Sequence, residues 1–212
     1  MIVDDRRHTE ALKTSSMLTE LYRRMYLPES VVVKPAQVIR VLNQAKIRFV
    51  LMGMHGIGGW RDEPRSTQDV DILIDGKDHS KAVKAIRTAF PGLLKQDFPV
   101  VTRFLDRATK KEVIDLMKPS VPLLEAAFTH SQRVGRTHAI PTLEMALALK
   151  FAAMISPDRR YDKKLQDGAD FVNITNTNLS AISRGKLKEL GEMVYAGGGD
   201  EILGIVDNIA AG

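Results

Sequence analysis

The sequence predicts an α+β protein, a mixed β-sheet flanked by helices with a helical C-terminal part. Three observations carry this. Between residues 31 and 141, apolar runs of strand length alternate with segments of helical period. Those runs are closed by Gly, Pro and polar turn residues. From Thr142 onward the strand-length runs cease and helical patterning continues to the end. The expected organisation is an N-terminal helix over 1–30, an α/β core over 31–141 and a helical region over 142–212.

Taken in order, residues 1–25 read as a polar, mixed-charge helix whose apolar positions are Leu12, Leu18, Leu21 and Met25, ended by Pro28. Val31-Val32-Val33 is an extended connector. Pro35 suits a first helical position, and Val38, Ile39, Leu42 and Ile47 follow at near-helical spacing. Arg48 to Met52 is a buried strand running straight into glycines. Asp69 to Ile74 is a second strand, stopped at Gly76. His79 to Phe90 is a helix with Ala82, Val83, Ile86 and Ala89 inward, stopped at Pro91-Gly92. Val100 to Leu105 and Glu112 to Met117 are strands joined by the polar turn Asp106 to Lys111. Arg133 to Ile140 reads as a fifth strand, closed by Pro141.

Thr142-Leu143-Glu144 then opens a strongly apolar helix, Met145 to Ile155, in which Lys150 is the charged residue. Pro157 breaks it. A charged amphipathic helix covers Arg159 to Ile174 and another covers Ser180 to Tyr195, after an Asn-Thr-Asn turn. Ala196-Gly197-Gly198-Gly199 punctuates a last apolar segment.

Composition bounds the chemistry. At 212 residues, 44% hydrophobic and 27% charged, the chain has the make-up of an ordinary globular protein with a core of its own. It contains no cysteine, which removes thiol nucleophiles, disulfide frameworks, zinc fingers and cysteine-held iron–sulfur clusters. No apolar stretch approaches the roughly 18 residues of a membrane span. The opening Met1 to His8 lacks the basic-then-apolar order of a signal peptide, so the expected location is cytoplasmic, with no membrane partner. A net charge of +5 is a mild bias toward polyanions. The five histidines have no metal-binding spacing, and no G-x-S-x-G elbow marks a serine hydrolase.

The sharpest feature is Asp69-Val70-Asp71 at the opening of a strand. Side chains two apart on a strand share a face, so both carboxylates converge. Two close carboxylates repel unless a cation or proton sits between them, and hard oxygen ligands suit Mg²⁺. Asp115 lies within the apolar strand Glu112 to Met117, where an acid is costly unless paired or metal-bound. Upstream, Met52 to Trp60 holds four glycines, Gly53, Gly56, Gly58 and Gly59, that allow either close backbone approach to phosphate or a tight strand-to-helix turn. Between glycines and acids, Arg65 either meets a triphosphate bidentately or neutralises Asp69 and Asp71. Thr67 either caps the strand entry or hydrogen-bonds near the acids. His55 reads as a turn residue making backbone hydrogen bonds, ahead of a nucleotide contact, and Trp60 as a core or turn-packing residue, ahead of stacking on a base.

This order of parts resembles the minimal nucleotidyltransferases of the DNA polymerase beta superfamily. Closest in pattern are the bacterial nucleotidyltransferase toxins of abortive-infection and type IV toxin–antitoxin systems. The resemblance spans roughly residues 46 to 172 and implies a nucleotidyltransferase-like sheet. It assigns Asp69 and Asp71 as metal ligands and Asp115 as the third acid. Gly53 or the pair Gly58-Gly59 matches the family's glycine turn; Met54 departs from it. The helix around Lys150 is similar to one that carries an inward catalytic lysine, and Asp158 to Asp167 to a basic stretch ending in an acid. Lys150 and Asp167 are therefore site candidates; the plain alternatives are a surface lysine and a solvated helix acid.

The implied activity moves a nucleoside monophosphate from a nucleoside triphosphate to an acceptor hydroxyl, with Mg²⁺ or Mn²⁺ and release of pyrophosphate. The implied acceptors are RNA such as tRNA, or a protein, and a cognate antitoxin is an implied partner. The basic run Arg159 to Lys164 suits an RNA backbone. The rival classes are a catalytically degenerate relative that binds a partner and a nucleic-acid-binding regulator.

Overall fold

The structure, a computed structural model, describes residues 5–212; the first four positions of the expected N-terminal helix lie outside the described residues. The fold is α+β, with a five-stranded mixed sheet flanked by helices. The chain divides into two units. One holds the residues up to Gly59 together with Glu63–Ile140, the other Trp60–Asp62 with Pro141–Gly212.

The first unit contains the sheet. Its strands are β1 (Phe49–Leu51), β2 (Val70–Ile74), β3 (Leu94–Asp97), β4 (Val101–Leu105) and β5 (Glu112–Met117), in the spatial order β1-β2-β5-β4-β3. Only β2 and β5 run parallel; the other neighbours are antiparallel. The parallel pair sets Asp71 directly opposite Asp115. In the antiparallel pair β4–β5, Arg103 stands opposite Asp115. Residues opposite one another share a face, so Asp71, Asp115 and Arg103 form one transverse row.

Helices α1 (Asp5–Tyr26), α2 (Pro35–Gln44), α3 (Gly53–Ile57), α4 (His79–Ala89) and α5 (Pro122–Ala126) complete the unit, with a separate hairpin of β6 (Ser131–Val134) and β7 (His138–Pro141). Val38, Leu42, Leu51, Ile72, Ile74, Ala82, Ile86, Phe104, Ile114 and Leu116 make a continuous core. Each fully buried Leu, Ile or Phe there contributes about 1.5–3 kcal/mol against solvent exposure.

In this unit three sequence expectations change. Arg133 to Ile140 is not one strand but the β6–β7 hairpin, because Gly135 turns the chain at φ +55°. Leu94–Asp97 adds an edge strand whose polar letters (Leu-Lys-Gln-Asp) conceal it. The largest change is α1. Its buried positions are His8, Ala11, Ser15, Thr19 and Arg23, while Leu21 and Met25 are 53% and 64% exposed. Leu12 packs against the core as its spacing implies, but the inward face of this helix is otherwise mainly polar.

Two of the three buried histidines are expected to make this unit acid-sensitive. Burial holds both the His55 and the His138 imidazole at about 4, below the ordinary 6.5. A group with a depressed folded pKa gives stability that is full above the unfolded pKa and is lost as pH falls from 6.5 toward 4, on the order of 3 kcal/mol per histidine. Asp115, raised to about 6, pulls the other way over pH 4–6. His138→Gln is therefore expected to flatten the fall in urea midpoint between pH 6.5 and 4 relative to the parent. An unchanged slope would assign the acid sensitivity to other groups.

The second unit is helical: α6 (Leu143–Ile155), α7 (Tyr161–Asn178), α8 (Arg184–Glu192) and α9 (Gly198–Ala211). Thr142 caps α6, its hydroxyl accepting from the Met145 amide. The indole N–H of Trp60 donates to the Pro141 carbonyl, and Asn178 donates to the Trp60 carbonyl, which ties Trp60–Asp62 to these helices. The Asn-Thr-Asn letters that suggest a turn instead complete the last turn of α7. No helix among the described residues is long and apolar enough to cross a membrane.

Candidate active site

Asp69, Asp71 and Asp115 each bring a carboxylate oxygen to within 4.8 Å of the others. Two are half-buried and Asp115 is buried, 6% exposed. Sheet register produces this: Asp71 and Asp115 are paired across β2 and β5, and Asp69 sits just before β2 on the same side.

Asp115 is under tension. Its Oδ2 accepts from Arg103 Nε at 3.1 Å, while its Oδ1 is buried with no hydrogen-bond partner. Burial, opposed by Arg103 and aided by the nearby Asp69 charge, lifts its carboxyl to about 6. An orphaned buried oxygen beside two more carboxylates is what a divalent cation would satisfy, so the donor set fits Mg²⁺ or Mn²⁺. Arg103 also lies 3.6 Å from Glu112 and over the Phe98 ring.

The glycines separate into two groups. Gly53 opens α3 at φ +54°, and a Cβ built there would stand 2.0 Å from Asp71 Oδ2. The Met52 amide donates to the Asp71 carbonyl at 2.8 Å. Gly53 thus lies against the acids. Gly58 and Gly59 lie instead against α1: a Cβ on Gly58 would sit 3.6 Å from Ala11, and one on Gly59 2.1 Å from the His8 ring. The glycine-rich segment is itself helical, α3 followed by a single 3₁₀ turn, Gly58–Trp60.

Thr67 donates its hydroxyl to Asp69 Oδ1 at 3.2 Å, and its amide donates to the Thr19 hydroxyl at 3.1 Å. Arg65 is half-buried in the same loop and donates to the Ser66 carbonyl. His55 turns inward to Ser15, with 2.8 Å between Nδ1 and Oγ. The sequence pattern did not single out Arg23, Thr19 or Arg103. Arg103 had a signal, a lone cation inside an apolar strand; Thr19 and Arg23 had only their successive i, i+4 spacing from Ser15.

Lys150 and Asp167 belong to the second unit and pair with each other. Lys150 Nζ donates to Asp167 and Asp170, each at 2.7 Å. Arg159 completes Asp167 at 2.5 Å and Arg61 completes Asp170 at 2.6 Å. Both acids are almost wholly buried, so neither the surface-lysine nor the solvated-acid alternative describes them. Removing one partner of a buried ion pair leaves an uncompensated charge. Lys150→Met is therefore expected to destabilise the helical unit by about 3 kcal/mol, the low end for such a loss because Arg61 and Arg159 remain. Urea denaturation followed by circular dichroism reads it; a midpoint equal to the parent's would show that the arginines suffice.

No protein-family model and no curated protein sequence matches the chain. Among solved structures it is similar to an antigenic nucleotidyltransferase-like protein from Paracoccidioides brasiliensis, at 13% identity over 79% of this chain and 76% of that one, with a TM-score of 0.44. It is also similar to terminal uridylyl transferase 4 from Trypanosoma brucei, a structure with bound GTP, at 12% identity and a TM-score of 0.32. That match covers 82% of this chain and 63% of the other, less than two thirds of its length. The chemistry of the site is therefore read from its own residues.

Proposed function

We propose that this chain is a metal-dependent nucleotidyltransferase that moves a nucleoside monophosphate from a nucleoside triphosphate to a hydroxyl of RNA or protein. The observation that carries the proposal is the cluster of Asp69, Asp71 and Asp115, with one buried oxygen of Asp115 left unpartnered. Asp69, Asp71 and Asp115 would hold Mg²⁺ or Mn²⁺. Bound there, a divalent ion supplies charge neutralisation on a triphosphate and acidifies an acceptor hydroxyl.

The chain's own residues do the rest. Thr67 fixes the Asp69 carboxylate, and Gly53, lacking a side chain, leaves room for that of Asp71. Arg65, in the loop leading to the acids, is the candidate for a triphosphate contact. In the transfer, the acceptor oxygen attacks the α-phosphorus in line. The bond from that phosphorus to its bridging oxygen breaks, pyrophosphate leaves with the electron pair, and the hydroxyl proton passes to solvent. Lys150 and Asp167 act in this reading as the charge-balanced frame of the helical unit. The toxin role and the cognate antitoxin implied by the sequence resemblance are proposed with a tRNA or another essential cellular hydroxyl as the acceptor.

Arg103 supports a second reading, a fold relative that binds without catalysis, because a protein cation already sits on Asp115. One experiment separates the two. Purified protein with Mg²⁺ is incubated with total RNA and soluble protein and each α-labelled nucleoside triphosphate in turn. Label that requires Mg²⁺ and the three acids supports transfer, and its sensitivity to nuclease or protease names the acceptor. Absence of both label and Mg²⁺-dependent nucleotide binding supports the binding module.

A further inference from the structure

We infer that α1 is the positioning frame of the acid cluster and that Arg23 is its clamp, tying the segment that leads through Asp69 into β2 to the strand of Asp115. The inference rests on the reading of these acids as a divalent-metal site. It concerns a helix that lies outside the stretch resembling the nucleotidyltransferases.

The buried face of α1 meets the site segment by segment. His8 lies against Gly59, Ala11 against Gly58, and Ser15 against His55. Thr19 accepts from the Thr67 amide, and Thr67 in turn donates to Asp69. Arg23 comes last and reaches furthest. Its Nη2 donates to the Gln68 carbonyl and, at 2.6 Å, to the Glu112 carbonyl. Gln68 immediately precedes Asp69; Glu112 begins β5, three residues before Asp115. Its Nη1 donates to Ser30 Oγ at 2.5 Å and to the Val31 carbonyl. The Val31 amide is held by Asp106, the residue that also caps the β4–β5 turn through Thr109.

Arg23 is 3% exposed, and burying a guanidinium is costly unless its donors are satisfied. Here Nη2 is satisfied by the carbonyls of Gln68, just before β2, and Glu112, the first residue of β5, and Nη1 by Ser30 and Val31 of the connector. A planar fork with five donors can bridge two strands and a connector at once; an ammonium on a flexible stem cannot hold that geometry. Residues that orient metal ligands typically change metal affinity by about 10–100-fold when removed. A polar face on α1 is thus explained by what it holds, where an apolar face would serve packing alone.

The test is a Mn²⁺ titration of the full chain, read by the loss of the free-ion electron paramagnetic resonance signal. It compares the parent, Arg23→Gln, Arg23→Lys and Thr19→Val with Ile86→Ala, a core variant on α4 that loses stability without touching α1's contacts. Arg23→Gln is expected to weaken Mn²⁺ binding about tenfold or more, Arg23→Lys to recover part of that, and Thr19→Val to lose about threefold. Ile86→Ala, even with an equal loss in melting temperature, is expected to bind as the parent does. If Arg23→Gln fails to fold, Arg23→Lys and Thr19→Val carry the comparison. A parent that binds Mn²⁺ while the α1 variants bind equally well overturns this inference alone. A loss of affinity in Ile86→Ala as large as theirs overturns it too. A parent that binds no Mn²⁺ overturns both the inference and the metal reading beneath it.

Discussion

Asp71→Asn is expected to abolish divalent-metal binding and to lower nucleotide transfer by about 10³-fold or more. The side chain keeps its size and its place opposite Asp115 but loses the charge that a cation needs. Its amide hydrogens would also point donors at a spot built from acceptors. Circular dichroism equal to the parent's would show that the loss is chemical. Asp115→Asn is the companion. It too is expected to lose metal, yet in metal-free buffer near pH 7.5 it is expected to be more stable than the parent. A carboxyl raised to about 6 is an unfavourable buried charge at that pH. Its removal is worth on the order of 3 kcal/mol, a figure already net of the Arg103 pair. Higher stability with lost binding is the mark of a residue kept for function. A stable Asp71→Asn protein that still transfers label in Mg²⁺ would remove these acids from the chemistry.

Gly53→Ala is expected to cut transfer and Mn²⁺ affinity by about 10²-fold, although it adds a single methyl group. Two effects coincide. At φ +54° an L side chain is strained by roughly 1–2 kcal/mol. The added Cβ would also stand 2.0 Å from Asp71 Oδ2, well inside van der Waals contact, so the carboxylate or the start of α3 must move. A shift of about 1 Å at a ligand is enough for a loss of this size. Gly58→Ala is the control, since its Cβ would meet Ala11 at an ordinary 3.6 Å. Binding by Gly58→Ala near the parent's, and a loss confined to Gly53→Ala, would identify Gly53 as the glycine that serves the site. Equal losses in both would point to the helical segment as a whole.

How much of the site was legible follows from the range of each interaction. Asp69 and Asp71 were legible because their relation is local: residues two apart at a strand entry are expected on one face, and they meet there although β2 itself begins at Val70. Asp115 was legible as an anomaly, an acid among Val113, Ile114, Leu116 and Met117. That it faces Asp71 was not, because register between parallel strands is set by a crossover through α4, β3 and β4. The choice between Gly53 and Gly58-Gly59 stayed open in the sequence, since glycine letters show permission for close approach but not what approaches. In the structure Asp71 approaches the first, and His8 and Ala11 approach the others.

The sequence by itself determined the α+β class, the strands β1, β2, β4 and β5, the helical character of the C-terminal part and the candidate acids. Each depends on patterning within a few residues, where period and burial are directly coupled. The tertiary structure alone decided the inward face of α1, the ion-pair set around Lys150 and Arg103's place on Asp115. In all three, polar and charged groups are buried because distant carbonyls or carboxylates satisfy them. Periodicity assigns burial by hydrophobicity, and so it sends Arg23 and Thr19 outward and Leu21 and Met25 inward. Only the fold brings Gln68 and Glu112 to the one point where a guanidinium can serve both, and that makes burying it favourable.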